Sequence, residues 1–214
     1  MDYNNIFKKV FLWMAIGLLV TFGTGYIVSI NPNMIEKVFS GPIYIVLAII
    51  EILLVLVISA RITKLNPTTA RILFILYSFV TGLTFASIFI VYEMSSIIFI
   101  FLITSIIFGI LSFIGYTTNI DLTKIGTYLL IALVSVLICS IINIFIGNTT
   151  FDIVISIICV LVFLGFTAYD TQKIKQLSNY YDEDALAIIG ALQLYLDFIN
   201  IFLELIKFFG NKKD

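Results

Sequence analysis

The chain contains no histidine, only two cysteines and three prolines, and only 12% of its 214 residues carry charge. The missing histidine removes His-based catalytic triads, histidine zinc sites and the usual side chain that titrates near neutral pH. Cys139 and Cys159 both fall inside apolar runs and form no CxxC pair, so they read as small buried hydrophobes and say nothing about redox compartment. A net charge of −1 leaves no basic surplus to neutralise phosphates, so nucleic acid is not an expected partner. What the chain has instead is apolar side chains. They make up 61% of it, with a mean hydropathy of +1.16, against roughly 45–50% in soluble domains. Too few polar groups exist to cover a water-exposed globule of this size. The composition predicts an integral membrane protein, with residues 1–214 as one polytopic membrane domain.

A crossing helix needs about 20 mostly apolar residues. Such runs cover 7–30, 42–60, 72–92, 95–116, 125–146 and 153–169, and a more polar seventh covers 185–209. Turn chemistry separates them at Asn31-Pro32-Asn33, Ser40-Gly41-Pro42, Asn66-Pro67, Gly147-Asn148 and Asp182-Glu183-Asp184. The first run is too long for a signal-peptide core and no small-x-small site follows it, so it reads as an uncleaved span. The predicted fold is an all-α bundle of seven helices.

Positive charge predicts a cytoplasmic N-terminus. In that orientation the inner segments hold Lys8, Lys9, Arg61, Lys64, Arg71, Lys124, Lys173 and Lys175, and the outer loops hold only Lys37. The tail opposes this pattern, because Lys207, Lys212 and Lys213 would lie outside if the seventh segment crosses. Either that segment re-enters and returns to the inner side, or helix packing overrides the charge rule. Small residues recur at packing spacing in two spans, at Gly17, Thr21 and Gly25 and at Gly109, Ser112 and Gly115.

An ionisable group in the hydrocarbon region costs at least about 2.5–3.5 kcal/mol and usually faces the bundle interior or a water path. Glu51 lies mid-way along the second run, Asp170 at the end of the sixth and Asp197 well inside the seventh. Gln193, Asp197, Asn200, Glu204 and Lys207 follow one another at four, three, four and three residues, which puts them on one helical face. That stripe must meet protein or water, so the seventh helix belongs in the centre of the bundle. It either lines a route or forms an interhelical hydrogen-bond seam. Arg61 and Asp170 end their spans on the same side, where a bidentate contact would join two helices. If Asp170 and Asp197 approach each other, they should share one proton, because two neighbouring carboxylates do not both ionise cheaply.

LYLDFINIFLELIKFFG at the C-terminus, AYDTQKI at the end of the sixth run and YSFVTGLTFASIF in the third resemble the signature segments of the Bax inhibitor-1 (transmembrane Bax inhibitor motif) family. The likeness extends from the first span to the C-terminus, and SARI after the second span resembles bacterial members. The resemblance implies a seven-helix bundle with the last helix enclosed by the other six, acting as a pH-sensitive calcium leak of a bacterial cytoplasmic membrane. It implies that Asp170 and Asp197 form the family's paired aspartates and that Arg61 is the arginine latch. Glu51 would match the buried acid of the second span and Lys207 a basic position, whereas Glu204 departs from the pattern. The expected partners are the bilayer, protons and calcium as the permeant ion. Oxygen donors from Glu51, Asp197, Asn200 and Glu204 would hold calcium only weakly. No cofactor and no catalysis are expected.

Rival readings are a regulator without transport, a proton-coupled carrier and an aspartyl intramembrane protease. The last shares the proton-sharing carboxylate chemistry, but the chain has neither a Gly-x-Gly-Asp context nor a Pro-Ala-Leu motif. A retinal protein is disfavoured because Lys207 lies too near the end of the last segment.

Overall fold

A computed structural model describes residues 3–61 and 66–213, with side chains for 4–58 and 66–213. Among the described residues there are eight helices: α1 (Tyr3–Ser29), α2 (Pro32–Phe39), α3 (Pro42–Arg61), α4 (Pro67–Val91), α5 (Met94–Thr117), α6 (Thr123–Ile146), α7 (Thr149–Leu177) and α8 (Glu183–Phe209). Six are long and apolar enough to cross a membrane, and the count reaches seven if α2 and α3, bent by 73° at their junction, form one span.

Each of the three prolines opens a helix. Pro32, Pro42 and Pro67 stand at the first position of α2, α3 and α4, where the missing N–H has no partner to lose and the fixed φ suits the helix. Asn31 and Asn66 cap two of these starts, their side chains accepting from backbone N–H groups of the first turn. The Asn31-Pro32-Asn33 turn expected from sequence therefore begins an extra short helix, α2. At the other end of the chemistry, Gly147 stops α6 in a left-handed conformation (φ 68°), which only glycine adopts without strain.

The chain divides into two compact units. The first holds Met1–Ile97, Leu177–Tyr195 and Asn211–Asp214, and the second holds Ile98–Gln176 and Leu196–Gly210.

In the first unit α1 packs on α4 through the predicted small-residue stripe. A Cβ added at Gly17 would sit 2.6 Å from Phe74, and one at Gly82 would sit 2.6 Å from Thr24 Cβ and 2.9 Å from the Thr21 carbonyl. The Thr21 hydroxyl donates across this interface to Ser78 O at 2.9 Å. Lys9 of α1 pairs with Glu183 (2.9 Å) and Asp184 (2.7 Å) at the start of α8, and Arg71 at the start of α4 reaches Asp184 at 2.8 Å. Just beyond α4, the tail forms an antiparallel bridge, Tyr92 opposite Lys212. Glu93 N donates to Asn211 O and Lys213 N to Val91 O, both at 2.9 Å, and Lys213 Nζ donates to Phe89 O at 2.7 Å.

These contacts settle the course of the last segment. α8 is unbroken, its start adjoins the start of α4, and the residues after it adjoin the end of α4. It therefore crosses rather than re-enters. The C-terminal lysines end on the side opposite Lys9 because two of them have local acceptors: Lys213 caps the last carbonyls of α4, and Lys207 pairs with Asp152 at 2.7 Å.

The second unit is built from α5, α6, α7 and the second half of α8. Here only part of the other predicted stripe is in close contact. Gly115 lies against the Ala168 backbone, whereas Gly109 faces open space. Gly126 lies under the Tyr169 ring. Phe198 of α8 lies edge-on to Phe101 and Phe108 of α5, with centroids 5.3 and 5.6 Å away. Gln172 clasps the α5–α6 connection, accepting from Leu122 N at 2.8 Å and donating to Ile120 O at 2.7 Å. Lys175 caps α5 by donating to Tyr116 O at 2.8 Å. Burial differs sharply between helices: 72% of the most apolar stretch of α8 is buried, against 6% for α6. The apolar outer faces of α6, including Leu130, Val134 and Ile141, are the surface a bilayer would solvate.

Candidate functional site

α7 continues past Tyr169 to Leu177, so Asp170 lies inside the helix rather than at its end. The segment TQKIKQL is polar by composition yet stays helical because Gln172 and Lys175 find partners on the end of α5 and the connection after it; the Thr167 and Thr171 hydroxyls are satisfied by the carbonyls four residues back. Asp170 is 7% exposed and Asp197 3%. Both belong to the second unit.

The two carboxylates interact electrostatically with each other, and Lys173 acts on both. Lys173 Nζ stands 3.9 Å from Asp170 Oδ1, a loose i,i+3 pair rather than a bonded one. Asp197 Oδ2 is buried and makes no hydrogen bond among the described residues. A buried acceptor left unpaired costs about 1–3 kcal/mol, so the geometry suits an oxygen that holds a proton or meets a cation.

The rest of the predicted stripe goes to separate partners. Asn200 donates to Leu196 O at 2.7 Å on its own helix, a local bond rather than an interhelical seam. Gln193 Oε1 and Glu204 Oε2 are buried without a hydrogen-bond partner among the described residues. The Cys159 thiol faces the Glu204 carboxylate. Lys207 donates to Ser156 Oγ at 2.8 Å besides its pairing with Asp152, so Glu204 and Lys207 do not form the pair their spacing allowed. Glu51 belongs to the first unit, where its Oε1 accepts from the Thr84 hydroxyl at 2.7 Å. The side chain of Arg61, the expected latch, lies outside the described residues. No group of three or more His, Cys, Asp or Glu side chains is placed to hold a metal ion among the described residues.

Sequence reasoning missed the Lys9–Glu183–Asp184–Arg71 cluster. The signal was present, since two acids in the first turn of a helix suit its dipole and basic residues stand at the same side of two other spans. In the sequence alone those basic residues mark only orientation.

A family model described as "Inhibitor of apoptosis-promoting Bax1" matches residues 3–214. The chain belongs to the Bax inhibitor-1 family. Relatives in this family include the inner membrane protein YbhL of Escherichia coli K12, 40% identical over 96% of this chain and 91% of that protein. An uncharacterized protein of Borreliella burgdorferi is 39% identical over 99% of this chain and 94% of its own length. An uncharacterized membrane protein of Streptococcus pyogenes serotype M1 is 35% identical over 97% and 93%. This Bax inhibitor-1 family chain is thus a multi-pass membrane protein, and its E. coli relative resides in the inner membrane.

Proposed function

We propose that the protein is a pH-sensitive calcium leak of the cytoplasmic membrane, with its N-terminus inside and with Asp170 and Asp197 as the proton sensor. The observation that carries this reading is the buried, mutually interacting carboxylate pair with one oxygen unpartnered. Two adjacent carboxylates in a poorly solvated site repel when both are ionised, so a proton shared between them lowers the energy of the pair. Adding or removing that proton changes the local charge by one unit, and Lys173 is the cation that feels the change at closest range. Arg61 in this reading is the latch on the inner side. Protonation of the aspartates weakens its hold and lets α8 shift.

Calcium is the permeant substrate. Asp197, Asn200 and Glu204 offer oxygen along the second half of α8, and Glu51 offers a carboxylate in the first unit. So sparse a donor set leaves most of the coordination shell to carbonyls and water, which favours passage over storage. The Lys207–Asp152 pair places a cation and an anion beside that half-helix.

The test is calcium entry into dye-loaded vesicles containing the purified protein. The reading requires flux above that of empty vesicles and a dependence on pH. Absence of flux at every pH would shift the assignment to a regulator without transport. The paired aspartates also have the chemistry of a peptide-cleaving dyad, and cleavage of a membrane peptide that fails in Asp197→Asn would establish that reading instead.

A further inference from the structure

Three helices of the first unit bring their starts together in one charged cluster. Lys9 comes from α1, Arg71 from α4, and Glu183 and Asp184 from α8. Asp184 is the shared member: its Oδ1 accepts from Lys9 at 2.7 Å and its Oδ2 from Arg71 at 2.8 Å. Glu183 Oε1 takes a second bond from Lys9 at 2.9 Å and one from Asn5 Nδ2 at 2.6 Å. One carboxylate thus joins two cations from different helices. Without its charge, Lys9 and Arg71 repel each other and only Glu183 still draws α1 onto α8.

The cluster is built to let go. Its four charged side chains are 29–40% exposed, so dissolved ions reach the pairs and screen them. Arg71 holds Asp184 through Nη2 alone, and its Nε is buried with no acceptor among the described residues. The two-point grip that makes an Arg–carboxylate pair strong is therefore missing. The other contact of Arg71 is the Trp13 ring of α1, whose centre lies 5.7 Å from the guanidinium carbon.

The helix under the cluster does not need it. Asp182 caps α8, its Oδ1 accepting from Asp184 N at 3.0 Å and from Ala185 N at 3.1 Å. Leu186 N donates to Asp182 O at 2.9 Å. Directly behind this cap Leu186 and Ile188 are fully buried, and Ala187 nearly so. Loss of the ion pairs leaves the first turn of α8 helical but opens it, and the buried residues next to it, to water.

We propose that Lys9, Arg71, Glu183 and Asp184 form a salt-released clamp on the start of α8, closed at low ionic strength and opened as screening removes the Asp184 pairs. The device responds to ionic strength and requires no change of protonation. It is independent of the aspartate pair and does not rest on the calcium reading.

Trp13 makes the clamp visible, because it is the chain's single tryptophan and Arg71 lies over its ring. Tryptophan emission and amide hydrogen exchange over residues 183–188 are followed for the full chain in lipid vesicles as sodium chloride rises from about 0.01 to 1 M. That range shortens the Debye length from about 30 to about 3 Å. Emission should move to longer wavelength and exchange should rise several-fold, whereas sucrose of equal osmolality should do neither. Asp184→Asn keeps the shape and the Asp182 cap, so at low salt it should already show the high-salt emission and exchange, with no further change on adding salt. Asp121→Asn, in the other unit, should respond as the wild type does. If Asp184→Asn does not fold, Lys9→Gln takes its place and should reach the high-salt state at lower salt than the wild type. Emission and exchange that stay flat in the wild type, or that respond equally to sucrose, would overturn the proposal. A wild-type salt response in folded Asp184→Asn or Lys9→Gln would overturn it as well.

Discussion

Substituting Gly82 by alanine puts one methyl group into the tightest part of the α1–α4 interface. The new Cβ would lie 2.6 Å from Thr24 Cβ and 2.9 Å from the Thr21 carbonyl. Neither neighbour is the end of a flexible side chain, so the two helices must separate by several tenths of an ångström. Overpacking of this kind costs about 1–3 kcal/mol. Alanine regains up to about 1 kcal/mol of helix propensity over glycine, which leaves a net loss of roughly 0–3 kcal/mol. Gly109→Ala is the matched control, because beyond its own stretch of helix no atom of the described residues lies within 4 Å of the added methyl. There only the propensity term acts, and the helix should gain up to about 1 kcal/mol. Equilibrium unfolding in mixed micelles of a mild detergent and dodecyl sulfate, followed by circular dichroism, measures both. The gap between the variants should be about 1–3 kcal/mol in favour of Gly109→Ala. Equal stabilities, or a more stable Gly82→Ala, would refute the close approach of α1 and α4.

Other consequences follow from single contacts. Tyr92→Cys with Lys212→Cys, in a background lacking Cys139 and Cys159, should form a disulfide on mild oxidation, because bridge partners hold their Cβ atoms about 4.5–5.5 Å apart; a segment that re-entered the membrane would not crosslink. Gln172→Leu strips two hydrogen bonds from the 120–122 backbone and should speed tryptic cleavage at Lys124, whereas Gln176→Leu should not. The Thr123 hydroxyl and N–H hold the Asp121 carboxyl below its ordinary pKa. A group depressed in the folded state stabilises above its unfolded pKa and loses that contribution as pH falls through the folded value. Asp121→Asn should therefore lower the neutral plateau of the unfolding curve slightly and leave its stability at low pH unchanged, so that the acid limb flattens.

Much of the fold was readable because hydrophobic runs of membrane length separated by Asn, Gly and Pro leave few alternatives. The short helix α2 was hidden because Pro32 after Asn31 opens a helix as readily as it marks a turn. The length of α7 was hidden because its last eight residues are polar, and their helical state depends on Gln172 and Lys175 meeting a connection far back in sequence. In the site, the four-three spacing of the α8 stripe correctly marked Asp197 as a buried carboxylate, and its neighbour Asp170 lay in the other signature segment. The spacing could not say where each member of the stripe finds its partner. Asn200 turns to its own backbone and Lys207 to Asp152. Glu51 stood among aliphatic residues in sequence, and the Thr84 hydroxyl that meets it comes from another helix.

The central claim is that Asp170 and Asp197 act as one proton-sensing unit. The most direct measurement compares the pH profile of calcium flux for the wild-type protein, Asp170→Asn, Asp197→Asn and the double variant in the same vesicles. Each single variant should flatten the profile, and the double variant should add nothing beyond either one, since the pair cannot share a proton once one carboxyl is gone. A wild-type profile in Asp170→Asn, or effects of the two substitutions that simply add, would contradict the account.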